Sequence, residues 1–446
     1  MKPSEDAGAA AAAAPGAPGA SAATMTTVTT TTRRAAMPFI LVTVLIDMIS
    51  IGLMVPVLPY LVGTFTKSND QLALAFLAVT ATFGIANFFA SPVLGALSDR
   101  FGRRPVLLLG FAGLALSFFG TALAPALWVL IVIRIFSGAM QSNISVANAY
   151  VADISAPEDR ARRFGLIGAM FGVGFILGPV LGGVLGDIDV RLPFYVSGSL
   201  ALVNGMYGYF VLPESLAPER RRPFDWRRAN PVAALRGLAA LKGVGPLVLV
   251  IAFASLAQFM LHMSWVLYTK FKFGWGPGDV GWSLFAVGLV SAIGQGLLLK
   301  PLLKRFTPRQ LVVAGLAIGG VSHLLFGLAT RGWMMYAILL LGFVGGAAQA
   351  SLQSIVSNAA DAHNQGQTMG SVTSLNSLTA VLAPVIALEL LRWVADRPAG
   401  SWLIGLPFYV SATLLFSASA VAIVYFRRHA ERATHGAARQ APAASP

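Results

Sequence analysis

Twelve runs of about 20 mostly apolar residues follow one another along the chain, the length a helix needs to cross a hydrocarbon layer of roughly 30 Å. They lie near 38–61, 72–97, 105–124, 128–151, 164–186, 193–212, 246–269, 279–300, 310–329, 333–357, 368–391 and 404–426. Inside lipid every backbone N–H and C=O must be satisfied within its own segment, so each run predicts a helix. The expected fold class is an all-α membrane protein of twelve transmembrane helices. Composition agrees: 56% of the 446 residues are hydrophobic and 11% charged, against about 25% charged in an ordinary soluble domain. So few polar groups cannot cover a water-facing surface. That excludes a cytosolic enzyme and a nucleic-acid binder, despite a formal charge of +14.

The positive charge has another explanation. With both termini on the inner side, the inner segments carry 24 Lys and Arg residues and the outer loops carry 7, with Arg134 inside a span. Basic residues concentrate on the cytoplasmic side of membrane proteins, so both termini are expected there. The charge then sets topology and meets anionic lipid rather than nucleic acid. Residues 1–36 and 427–446 are too poor in large apolar side chains to pack and are expected to be disordered tails. Met1 to Ala14 has no long aliphatic stretch, so no signal peptide is expected there, and Met1, Met25 and Met37 stay open as the start.

The two halves of the chain resemble each other. Leu-Pro-Phe-Tyr-Val-Ser occurs at Leu192–Ser197 and again at Leu406–Ser411. A shift of 205 places Arg100 and Phe101 on Arg305 and Phe306, Trp128 on Trp333, Gly165 on Gly370 and Pro179 on Pro384. The expected organisation is a six-helix bundle over 37–212, a basic cytoplasmic linker over 213–245 and a second six-helix bundle over 246–426. This is the layout of secondary transporters built from parallel repeats, which hold substrate between the halves.

Other chemistries find no support. Cys is absent, which removes disulfides, thiol catalysis and Cys-based metal sites. His262, His323, His363, His429 and His435 are not spaced as a metal cluster, and neither HExxH nor GxSxG occurs. No enzyme activity, cofactor or metal is expected. A channel or a non-transporting ligand sensor in the membrane remains open as a reading of a different class.

Four motifs carry the functional reading. The turn after the second run contains Gly95, Asp99, Arg100, Gly102, Arg103 and Arg104, one carboxylate among three guanidiniums. Asp99 can cap a helix or pair with an arginine and so latch one state. The alternative is a basic loop that only sets topology. Its copy in the second half is degenerate, with Lys304 in place of the acid. The fourth run holds Arg134, and charge inside a span is costly enough to be functional by default. An arginine that snorkels or braces helices is the other reading. The fifth run carries Gly174, Gly178, Pro179, Gly182 and Gly183, where small residues allow close helix approach and proline bends the helix. In the first run Asp47 is the only acid deep in apolar sequence, a candidate proton carrier or a structural hydrogen-bonding group.

Together these strings resemble the drug/proton antiporters of the major facilitator superfamily. The stretch Asp47–Pro59, with Trp265–Trp275, Val280–Leu284 and Gln295-Gly296, is similar to the tetracycline-resistance efflux family. The resemblance covers about residues 37–426. It implies proton-coupled efflux of small drug-like molecules from a bacterial inner membrane, with tetracycline the leading candidate. It also implies proton coupling at Asp47 and Arg134, gating by residues 95–104 and an antiporter motif at 174–183. A multidrug or metabolite transporter of the same fold is the alternative. The expected partners are a small-molecule substrate, protons and lipid, with a monomer as the working unit. The chain departs from the family at three positions, where Ser117, Gly319 and Ser291 stand for two acids and a histidine. Glu389 is a second intramembrane acid, but Arg392 lies one turn on and can pair with it.

Polar residues inside spans should face a cavity or one another. The cavity candidates are Asn143, Asn148, Gln258, His262, Trp265, Gln295, Gln349, Gln353 and Asn376. Gln258, His262 and Trp265 share one helix face, as do Gln349 and Gln353. Each can equally serve as an interhelical hydrogen bond.

Overall fold

The computed structural model describes residues 20–141, 143–224, 245–359 and 365–440. Among these residues there is no strand; almost everything is helix. Ten helices are long and apolar enough to cross a membrane: Met37–Gly63, Asn69–Phe101, Arg103–Leu123, Leu127–Ile154, Arg162–Ile188, Pro246–Phe273, Pro277–Arg305, Pro308–Leu328, Leu375–Val394 and Trp402–Arg428. Two more crossings complete the set. Leu192–Val211 is a helix of 20 residues, and Gly332–Leu339 continues after a two-residue break into Gly342–Ala359. These are spans one to twelve in chain order.

The helices depart from regularity for local reasons. Span one is interrupted at residues 55–57, where Pro56 and Pro59 remove amide donors. Span eight contains a π-helical stretch, Gly294–Leu298. The helix of span one begins at Ala20 and that of span twelve runs to Gln440, so helix enters both segments expected as tails. Residues 427–440 are rich in Ala and Arg, which favour helix even without a packed face, whereas the seven threonines of 20–36 do not. Residues 1–19 and 441–446 of those tails, and 225–244 of the linker, lie outside the described residues.

The repeat is visible in packing. Phe194 and Phe408, the third residues of the two Leu-Pro-Phe-Tyr-Val-Ser copies, are both fully buried, as is Ser197; Ser411 is almost so. Trp128 and Trp333 start spans four and ten and are 70% and 64% exposed. Indoles at helix ends suit the membrane–water boundary. The apolar side chains facing outward, such as Leu116, Leu123, Val203 and Phe210, suit lipid.

Spans one, two, four and five belong to the first half, and seven, eight and eleven face them from the second. One face of the molecule carries the ends of spans one and twelve that lead to the termini; it is called the terminal face below. At the opposite face the halves are bolted together. The Tyr60 hydroxyl donates to the Trp275 carbonyl at 2.5 Å, and the Asn69 amide donates to the Ala395 carbonyl at 3.3 Å. Asp187 accepts from the Gly278 N–H at 2.9 Å. Arg392 reaches Asp70 at 3.8 Å, and the Lys270 ammonium lies 4.4 Å from the Tyr60 ring centre.

Candidate transport cavity

Between the halves is a cavity of about 650 Å³. Its walls come from spans one, two, four, seven and eleven. The lining runs from Leu58, near the bolted face, to Gly95, within the last turns of span two at the terminal face. Aromatic and aliphatic side chains dominate it, among them Phe76, Phe83, Phe88, Phe259, Met263 and Val266. The polar lining is sparse: Thr80, Asn87, Ser91, Arg134, Ser145, His262 and Ser377. An apolar cleft with a few placed polar groups is the usual form of a small-molecule site.

Of the residues expected in the cavity, His262 lines it and pairs with Gln258 through ring nitrogen and side-chain amide at 3.2 Å. Trp265 is buried, and its indole N–H donates to Ser283 Oγ at 3.0 Å while the ring packs edge-on against Phe326. A buried indole needs an acceptor, and span eight supplies it, which turns this side chain from the cavity into the second bundle. Asn376 accepts from Ser255 at 2.7 Å and ties span eleven to span seven. Gln295, Gln349 and Gln353 are exposed, Asn148 is half-buried, and none of the four lines the cavity. Asn143 begins a helical segment, but its side chain lies outside the described ones.

Asp47 is buried, on span one, and is not part of the lining. Arg134 is 2% exposed and does line the cavity. Its Nη2 donates to Thr121 Oγ1 and its Nη1 to Met54 Sδ, both at 3.0 Å. Met54 lies seven residues past Asp47, about 10 Å along the helix axis, so Arg134 meets span one well away from the acid. Glu389 forms a bidentate pair with Arg392, at 2.9 Å to Nε and 2.5 Å to Nη2, and accepts from the Trp393 indole N–H. Of the three positions where the family has ionisable groups, Ser117 is buried with an unpartnered hydroxyl, Ser291 is exposed, and Gly319 faces Leu415.

The glycines of span five meet two helices. A Cβ on Gly178 would sit 2.7 Å from Gly52 Cα, and one on Gly182 would strike the Leu53 backbone. On the other side, a Cβ on Gly183 would lie 2.6 Å from the Pro277 carbonyl, and one on Gly281 2.5 Å from the Pro179 carbonyl. Gly174 closes on Met48. Span five is thus the thin wedge between span one of its own half and span eight of the other.

The turn between spans two and three is an ionic knot. Arg103 Nη1 lies 2.7 Å from Asp99, and Arg103 Nε lies 3.1 Å from Asp153 on span four. Arg103 Nη1 also donates to Ser98 Oγ. Arg104 donates to the Tyr209 carbonyl at 2.6 Å, whereas Arg100 is exposed and stacks over Phe101. Gly102 has φ +107, and a Cβ there would collide with the carboxylate of Glu214. That carboxylate accepts from the backbone N–H groups of Arg103 at 2.8 Å and Arg104 at 3.3 Å, and from those of Ser215 and Leu216 at 3.0 Å. Gly95 has no heavy atom within 4 Å of its Cβ position.

Sequence reasoning missed Glu214 and the polar face of span two. Thr80, Asn87 and Ser91 are seven and four residues apart, the helical spacing of one face; that signal was available. Glu214 lies 111 residues from Arg103, with no local pattern linking them.

Two six-helix halves around a mostly apolar cavity shut at one face make a membrane transporter of the two-bundle type. The profile of the Major Facilitator Superfamily matches residues 40–384 and 247–445, and the chain belongs to that superfamily. It is 38% identical over 376 residues to the class C tetracycline resistance protein of Escherichia coli, covering 84% of this chain and 94% of that one. It is 35% identical to the class D protein of Salmonella ordonez, over 83% and 93% of the two chains. The class B protein of Escherichia coli is 32% identical, over 84% and 93%. Among solved structures, the fold matches the human organic anion transporter MFSD10 with a TM-score of 0.64 at 23% identity, covering 87% of this chain and 99% of that one. It matches a bacterial homolog of the human lysosomal transporter Spinster with a TM-score of 0.68 at 14% identity, covering 89% and 97%.

Proposed function

We propose that this protein is a proton-coupled exporter of small amphiphilic drugs, with tetracycline as the first substrate, and that it works by alternating access. One observation carries the reading: a cavity walled by both halves and shut at one face, in a chain similar over most of its length to tetracycline resistance proteins. The excess of Lys and Arg on the terminal face supports placing both termini in the cytoplasm of a bacterial cell, with the body in the inner membrane. The structure is then the state that loads from the cytoplasm. Drug enters past Gly95 and Ser145, the halves rock about the span five wedge, and the bolts at Tyr60, Asn69 and Asp187 part to release it.

In this cycle Asp47 carries the proton and Arg134 assists, while the knot at residues 95–104 holds the inner side of the first half. The protein acts as a monomer, without catalysis or a cofactor. The test is proton-driven tetracycline accumulation in inverted membrane vesicles, with and without magnesium. Accumulation that disappears in Asp47→Asn is expected. Full coupling in that variant removes Asp47 from the proton path, and no accumulation by folded protein rejects tetracycline as substrate.

A further inference from the structure

Arg134 is a cation in an unusual position. It is 2% exposed, yet its Nε is buried without a hydrogen-bond partner, and one of its terminal nitrogens meets only a thioether. A thioether is a weak acceptor, so among the described residues Thr121 Oγ1 is the one ordinary oxygen bonded to this guanidinium. A buried charge without a counter-charge is costly, and the cost falls when an anion arrives. Arg134 borders the cavity. Among the described lining residues it carries the only fixed charge; the other polar members are hydroxyls, one amide and His262. No carboxylate is present among them, and no three His, Cys, Asp or Glu residues among those described are grouped to hold a metal ion. The low dielectric of the aromatic walls lengthens the reach of that single positive charge.

We propose that the cavity selects ligands bearing a delocalised oxyanion, of the enolate or phenolate kind, which docks on Arg134. A tetracycline would therefore enter as its metal-free anion or zwitterion rather than as a cationic magnesium chelate. This rests on the function proposed above and names its substrate species. The chemistry is a competition for one edge of the ligand. The keto–enolate oxygens that chelate a divalent ion are the same oxygens that accept a guanidinium fork. Once they hold magnesium, their lone pairs are taken and the ligand's charge has the sign of Arg134. The apolar rings of the ligand would lie against Phe83, Phe88 and Phe259 in either case, so the discrimination resides in the charge.

The test is binding to the full chain in lipid nanodiscs, at one pH, by calorimetry. Tetracycline is titrated in EDTA and again with saturating magnesium. Binding at least tenfold tighter in EDTA is expected, as is at least a tenfold loss in EDTA for Arg134→Gln. Equal or tighter binding of the chelate overturns the proposal, as does unchanged EDTA affinity in that variant. Asn87→Asp, which adds a carboxylate to the lining, serves if Arg134→Gln does not fold; it should weaken tetracycline in EDTA and strengthen the chelate, and the opposite pattern overturns the proposal. If the vesicles show no tetracycline transport, the functional reading fails separately. Anilinonaphthalene sulfonate and ethidium then decide the charge question: Arg134-dependent binding of the sulfonate supports it, and preferred binding of ethidium overturns it.

Discussion

The turn between spans two and three and its repeat between spans eight and nine solve one problem in opposite ways. Each starts a helix whose first N–H groups need acceptors. In the second half Thr307 caps its own helix, accepting from the Gln310 N–H at 3.3 Å, while Gln310 accepts from the Thr307 N–H at 3.0 Å. In the first half the repeat places Gly102 where Thr307 stands, and glycine has no side chain to give. The acceptor comes instead from Glu214, past the end of span six. In the register of the Leu-Pro-Phe-Tyr-Val-Ser copies, Arg428 stands opposite Glu214, so the second half has no distant carboxylate to use. A local cap persists through any movement of spans. A cap supplied by a remote segment holds only while spans three, four and six stay in place. Of the two turns, only the first has a cap that such a movement would break.

The largest effect is expected where the remote cap is packed most tightly. Gly102→Ala puts a Cβ into the Glu214 carboxylate at a backbone angle, φ +107, that suits glycine. A non-glycine residue there costs about 1–3 kcal/mol, and moving Glu214 removes the cap as well. The variant should melt well below the parent in detergent and transport poorly. Thr307→Ala, at the equivalent position, should lose about 1 kcal/mol of capping. Equal melting losses in the two variants would erase the distinction between the turns.

Glu214→Ala should come next, costing about 2 kcal/mol, with four backbone N–H groups deprived of an anionic acceptor. Arg103→Ala follows, because its pairs with Asp99 and Asp153 are partly exposed and worth about 1 kcal/mol together. If the latch times the cycle, transport should fall further in both variants than melting temperature suggests. Transport that tracks stability alone reduces the knot to a scaffold.

The degree to which this was legible in the chain depends on distance. Spans are written in runs of apolar residues, so their number and order could be read directly, as could the repeat and the Glu389–Arg392 pair one turn apart. The glycines of span five announced close packing, though not that span eight forms the second wall. Trp265 was harder. A helix buried among helices and lipid is apolar on several sides, so hydropathy does not say which face meets the cavity, and the acceptor that settles it, Ser283, lies on the next span. Glu214 was illegible because its role exists only once spans three and six are adjacent.

The smallest expected effects lie in the second turn, and they sharpen the comparison most. Gln310→Ala removes one side of a local capping box and should cost about 0.5–1 kcal/mol, read as a small drop in melting temperature with transport unchanged. Lys304→Asp restores the acid that the first turn carries at Asp99. If an acid at this place were enough to make a latch, the variant should alter transport. The geometry says otherwise: Pro308 stands where the first turn has Arg103, so the new carboxylate has no guanidinium at that position to hold. The change should therefore stay within a few tenths of a kcal/mol, as exposed charge changes do. A clear transport phenotype in Lys304→Asp would mean that the two turns differ by one residue rather than by the source of their cap.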